Sequence, residues 1–173
     1  TLENGAPANT LGGLGSAIAW AGGDTFLLTP DRGPNASAWN SSVDNTTSWI
    51  PRFQTLNLGL GTTAFSAGSI ATLTPVLNAT TLLSSSAALN YGTAPVLTGS
   101  NGEHYFTGRS DAFATGTSTN PDNARLDLEG IRVAADGKSV YISDEYGPYI
   151  YRFDRSTGER TGVITLPEKF VAT

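Results

Sequence analysis

The clearest pattern in the chain is a period-two alternation of apolar and polar positions near its C-terminal end. Leu128 to Ala134 carries β-formers at Ile131 and Val133, and Asp136-Gly137 follows as a hairpin-turn dipeptide. Ser139 to Ser143 returns with Val140 and Ile142 on one face and Tyr141 on the other. Tyr149 to Asp154 sets Tyr149, Tyr151 and Phe153 against Ile150 and Arg152. A Ser-Thr-Gly turn leads into a fourth strand over Arg160 to Leu166, which Pro167 stops. A strand that goes out and comes back brings its ends to one edge. Glu129, which opens the first strand, and Asp144 and Glu145, which close the second, therefore gather at one rim.

Four short antiparallel strands in about 40 residues is the size of one propeller blade. A weaker copy of the first hairpin occurs near the N-terminus. Ser16 to Ala21 reads as a strand with Ile18 and Trp20 on one face, Gly22-Gly23-Asp24 as a turn, and Thr25 to Thr29 as the return strand. Asp31 closes this hairpin as Asp144 closes the later one, and Gly33-Pro34 matches Gly147-Pro148. The repeat is strand, turn, strand, then an acidic Gly-Pro loop.

Between the two units the pattern thins. Residues 36–50 form a Ser/Asn/Thr-rich loop containing Trp39 and Trp49, exposed by composition. Arg52 to Leu60 alternates Leu56, Leu58 and Leu60 and predicts a strand. Residues 61–88 are Ala, Ser and Thr with scattered Leu, where Ile70 to Val76 is the best strand candidate. Leu97 to Asn123 reads as loop. No capped i, i+3, i+4 pattern argues for a helix, so the chain is predicted all-β.

Composition narrows the function classes. The 173 residues carry a net charge of −5, which disfavours a nucleic-acid surface. No apolar run is long enough to span a bilayer. Cys is absent, removing disulfides and Cys-based metal sites or nucleophiles. Met is absent too and the chain starts at Thr1, which reads as a processed terminus. Asn35, Asn40, Asn45 and Asn78 each head an Asn-x-Ser/Thr acceptor, pointing to N-glycans and a secreted, extracellular setting.

Several motifs fall in an order that resembles the phytase-like propellers described as having esterase-like activity of phytase. They are Gly12-Gly-Leu-Gly-Ser-Ala-Ile18, Thr29-Pro-Asp-Arg-Gly-Pro-Asn35, Pro51-Arg-Phe53, Pro95-Val-Leu-Thr-Gly99, Asp127-Leu-Glu-Gly-Ile131 and Ser143-Asp-Glu-Tyr-Gly-Pro148. The resemblance runs from about Gly12 to Leu166. It implies that residues 1–173 are the N-terminal portion of one propeller: an arm over 1–13, first blades over 14–126 with a glycosylated loop at 35–50, and one complete blade over 127–167. Family members close a ring of six or so blades, at about 40 residues each. The expected partner is therefore a second chain from the same precursor that completes the ring. A small β-sandwich that mimics the motifs is the alternative architecture.

Chemistry is expected at the rim. Asp31, Glu129, Asp144 and Glu145 would repel one another unless a cation or Arg offsets them. Oxygen ligands without His or Cys favour Ca²⁺ or Mg²⁺, and Ca²⁺ is the cofactor expected here. The same carboxylates could instead hydrogen-bond strand-end N–H groups. Arg32 either clamps an anionic substrate group or pairs with Asp31 or Glu129 to pin neighbouring blades. Asp136 and Asp154 read as turn residues, and Tyr146, Tyr149 and Tyr151 as packing aromatics, with Tyr146 the one of the three that could instead face a ligand. His104 is the only histidine; Ser110 and Asp111 lie near it in sequence, but no nucleophile-elbow motif accompanies it. The resemblance implies phosphoester or ester hydrolysis. A non-catalytic extracellular binding or structural module, and a lactonase-like hydrolase with one divalent ion in the channel, are the competing readings.

Overall fold

A computed structural model describes residues 14–33, 49–65, 68–93, 96–108 and 120–170. It is all-β, with ten strands in chain order: β1 Ala17–Trp20, β2 Thr25–Thr29, β3 Arg52–Phe65, β4 Gly68–Leu82, β5 Ser84–Ser85, β6 His104–Tyr105, β7 Leu128–Val133, β8 Ser139–Asp144, β9 Tyr149–Asp154 and β10 Arg160–Thr165. A single 3₁₀ turn at Glu168–Phe170 is the only helical element among the described residues. Among the described residues, no helix is long and apolar enough to cross a membrane.

The strands form two antiparallel four-stranded sheets, blade 1 in the order β1-β2-β3-β4 and blade 2 in the order β7-β8-β9-β10, with β5 and β6 as a small separate pair. The blades are two units of an open propeller, and β1 lies against β7 as its neighbouring innermost strand. Blade 2 matches its expected hairpins closely. Ile131 pairs with Ile142 and Ile142 with Tyr151, and this row faces the core. Asp136 accepts from the N–H groups of Lys138 and Ser139, and Asp154 from those of Ser156 and Thr157, so both are turn residues.

Blade 1 departs from expectation in two respects. Ile18 and Trp20 do share a face, but it is the outer one, at 50% and 64% exposure, while Ala17 and Ala19 face the core. Small residues let β1 approach blade 2. The larger departure is the length of β3 and β4. They pair from Arg52↔Leu82 to Phe65↔Gly68, with one bulge that skips Asn78, far beyond the expected Arg52 to Leu60 and Ile70 to Val76. Thr and Ala suit a paired strand, yet give no periodic signal alone.

The core lies between the blades. Leu27, Phe53 and Leu83 of blade 1 and its exit meet Leu128, Val140, Ile142, Tyr151 and Phe153 of blade 2. Phe106, fully buried, fills the middle, with ring centroids 5.8 Å from both Tyr151 and Phe153. It is delivered by the segment predicted as loop, through its N–H to the Leu83 carbonyl at 3.1 Å. The outer ends of the blades meet where the Ser84 N–H donates to the Gly158 carbonyl. A Cβ on Gly158 would lie 1.9 Å from the Leu82 carbonyl oxygen, so only glycine permits this approach.

Phe106→Ala removes the ring that both blades share. It is expected to cost about 3–5 kcal/mol, the usual range for emptying a packed Phe site. Urea unfolding of the variant measures this; a loss below about 1 kcal/mol would contradict the account of the core.

Candidate functional site

The rim loops of the two hairpins bring three carboxylates together. Asp31 follows β2, Asp127 precedes β7, and Glu129 lies within β7. Their nearest carboxylate oxygens are all within 4.8 Å of one another. Glu129 owes its position to a bulge: Leu128 pairs with Asp144 and Gly130 with Ser143, leaving Glu129 as the unpaired extra residue. A bulge re-aims a side chain in this way. The Ser16 hydroxyl donates to Glu129 Oε2 at 3.2 Å, tying the start of blade 1 to the same point.

Asp127 is the central member and is fully buried. Its Oδ1 accepts from the Arg32 N–H at 3.1 Å, which also donates to Asp31 Oδ1. Its own N–H donates to Asp144 Oδ1 at 3.0 Å. Its Oδ2 has no hydrogen-bond partner among the described residues; the nearest cation is the Arg32 guanidinium, with Nη1 at 3.7 Å. A buried carboxylate oxygen without a donor is costly. The Asp31-Arg32 loop is held firmly, since a Cβ on Gly108 would lie 1.8 Å from the Arg32 carbonyl oxygen, and the Gly108 N–H donates to the Trp49 carbonyl. Trp49 itself is buried, with the Arg52 guanidinium 3.8 Å from its ring centroid. This end of the predicted exposed loop is therefore structural.

Titration follows from the crowding. Burial, then the adjacent Asp31, pushes the Asp127 carboxyl up to about 8. Asp31 moves down, chiefly through its hydrogen bond with Asp127. Two carboxyls this close titrate as a coupled pair. Burial also raises Glu129, reinforced by the charges of Asp31 and Glu145. Burial pushes Asp144 up to about 7 against two backbone N–H donors, those of Asp127 and Tyr146.

Of the four residues expected to hold a metal, Asp31 and Glu129 converge. Asp144 stands behind the cluster, its Oδ1 occupied in orienting Asp127 and Tyr146. Glu145 lies close enough for its charge to act on Asp127 and Glu129, and its N–H donates to the Asp127 carbonyl at 3.0 Å. Arg32 reaches the cluster with a side chain 43% exposed. Asp127 was not among the expected ligands, although its spacing of two from Glu129 signals a shared face. Asn35, Asn40 and Asn45 lie outside the described residues; Asn78 is exposed on β4. His104 sits on β6, opposite Ser85 and away from the cluster, and Ser110 and Asp111 lie outside the described residues. A groove of about 350 Å³ lined by Ser84, Glu103, Thr157 and Glu159 contains none of the cluster.

Sequence comparison matches residues 9–173 to the family described as "Phytase-like: Esterase-like activity of phytase". The chain belongs to this phytase-like family. A stretch of 46 residues, 27% of the chain, is 44% identical to a protein of Arthroderma benhamiae described as an uncharacterized secreted protein. That stretch is 9% of the relative's own length. No solved structure matches the chain.

The raised groups set a pH dependence for the phytase-like chain. A carboxyl raised in the folded state contributes stability that is full below its ordinary pKa near 3.8 and is lost as pH rises through the folded value. Asp127 and Asp144 act in this sense. Asp31, lowered, contributes above its ordinary value and does not change across the neutral range. Without added cations, the melting temperature should fall from pH 5 to pH 8, and Asp127→Asn should flatten that slope. A melting temperature that rises over this interval would contradict the assignment.

Proposed function

We propose that the rim carboxylates form the Ca²⁺ site of a secreted hydrolase acting on phosphoesters or esters. Two observations carry this: three hard oxygen donors converge at Asp31, Asp127 and Glu129, and the Oδ2 atom of the buried Asp127 has no hydrogen-bond partner among the described residues. One carboxylate oxygen from each of the three lies within 4.8 Å of the others, close enough for one ion to bridge them, and Ca²⁺ accepts such an irregular all-oxygen shell more readily than Mg²⁺. Asp31, Asp127 and Glu129 would hold the ion. When bound it would supply a positive centre able to accept a phosphoryl or carbonyl oxygen and to acidify water. Arg32, half in solvent beside the cluster, would orient the anionic part of the substrate. Asp144, through the Asp127 N–H, would keep the central ligand aimed.

Membership of the phytase-like family supports hydrolysis, and the secreted relative supports an extracellular setting. The outer faces of both blades would receive the remaining blades of a ring, supplied by the same precursor. The second reading is a non-catalytic extracellular propeller that uses Ca²⁺ structurally, since propellers serve both roles.

The native protein decides between them when assayed on a phosphomonoester and a simple carboxylic ester. Chelation should abolish turnover and lower the melting temperature, and Ca²⁺ should restore both. At a hundredfold excess over the dissociation constant, the ion contributes about 2.7 kcal/mol. Glu129→Gln should weaken the calcium response with little effect on the apo-protein. Stabilisation without turnover identifies the structural module; indifference of both to chelator sinks the metal site.

N-glycosylation is the accompanying expectation. Peptide mapping after glycosidase treatment should find at least one of Asn35, Asn40 and Asn45 converted to Asp. Unmodified Asn at all three and at Asn78 in native material would remove the acceptor argument for secretion.

A further inference from the structure

β3 and β4 outrun their sheet. β2 pairs with β3 only from Leu28↔Gln54 to Thr25↔Asn57. Beyond that point the two strands continue alone as a ribbon to Phe65 and Gly68. A two-stranded ribbon is marginal in water unless one face is covered. No Asp, Glu, Lys, Arg or His occurs between Arg52 and Glu103, so charge does not solubilise it.

The ribbon has two unlike faces. Register places Trp20, Phe26, Leu56 and Leu77 in one row across all four strands of blade 1. Leu58 with Pro75, and Leu60 with Leu73, continue that face along the ribbon. Ile18 and Trp20 are 50% and 64% exposed, and Leu60, Leu73 and Leu77 are 77%, 60% and 60% exposed. Together they present on the order of 600 Å² of apolar surface, the upper end of what a monomer shows and close to one partner's share of a standard interface. The opposite face carries Asn57, Gly59, Gly61, Thr72 and Thr74, with Val76 and Ile70. Asn78 belongs to this side, because its amide donates to Asn57 Oδ1. A glycan on Asn78 would therefore leave the leucine face clear.

Direction completes the picture. The Leu82 end of β4 abuts Gly158 of blade 2. A strand of 15 residues is about 50 Å long, so the ribbon projects from blade 1 away from that junction. The inner face of blade 1 is covered by a four-stranded antiparallel sheet with an apolar row. Its outer face offers a matching row in which Leu56 is buried among its neighbours while Trp20 and Leu77 at the two margins stand exposed.

The geometry points to a clasp: the β3–β4 ribbon lies with its leucine face over a further four-stranded blade that packs on the outer face of blade 1. The occupant is a blade of the same protein. The relative, of which the matched 46 residues are only 9%, is long enough to hold many such units. The inference rests on the ring reading above but is separable from it and from the metal site. The glycan-bearing side faces solvent, and the ribbon adds cover beyond the ordinary blade width.

Hydroxyl-radical footprinting of the native protein, run on its monomeric fraction, tests this. Ile18, Trp20, Leu60, Leu73 and Leu77 should all be protected at least tenfold relative to Phe170, which is 59% exposed. The double variant Leu60→Ser, Leu73→Ser should restore reactivity at Leu77 and lower the melting temperature, without changing any calcium response. Protection at Ile18 and Trp20 with full reactivity along the ribbon would leave the ring standing and overturn the clasp. Reactivity at all five would overturn both. Protection that appears only in a concentration-dependent dimer would make a second copy the occupant and overturn the proposal.

Discussion

A single buried carboxylate links the parts of this molecule. Asp127 stands where two hairpins from different blades meet, with no solvent to share its charge. One oxygen accepts the Arg32 N–H, so the rim loop of blade 1 closes against blade 2. Its N–H is held by Asp144, which joins both ends of the hairpin in blade 2. The remaining oxygen has no hydrogen-bond partner among the described residues, and the Arg32 Nη1 lies 3.7 Å from it. Paired burial of this kind costs more than it returns unless another positive centre completes the shell. The geometry of the rim and its chemical potential therefore have one origin.

The packed interior makes that arrangement tolerable. Phe106, Tyr151 and Phe153 fix the blades face to face, and the alanines of β1 permit close approach of the innermost strands. The rim loops are then positioned by rigid strands, with Gly108 pressed against the Arg32 carbonyl. Such a scaffold keeps the three carboxylates near one another even when their charges repel.

Blade 2 was legible because each of its strands alternates on its own and is bounded by turn residues, Asp136 and Asp154 among them. Asp31 and Glu129 were legible as rim residues from the repeat of the hairpin. Asp127 was visible in the same motif, but a residue just before a strand shows neither its burial nor its orphaned oxygen in the sequence. The ribbon was hidden for a different reason. Residues such as Thr62, Thr63, Ala71 and Thr72 carry no periodic contrast, and their strand character comes from pairing with each other. Trp49 was hidden by its neighbours, since a polar loop composition masks one anchoring aromatic at its end. The two hairpins are not copies residue for residue: Ile18 near the start of the first faces out and Ile131 near the start of the second faces in, and the turns joining the strands differ in length.

The central claim is that Asp31, Asp127 and Glu129 share one divalent ion. Crystals of the native protein grown with Ca²⁺, examined by anomalous scattering, test it directly. The account predicts a peak about 2.3–2.6 Å from a carboxylate oxygen of each of the three. A rim without a peak, its carboxylates satisfied by arginine or by protons alone, would contradict it.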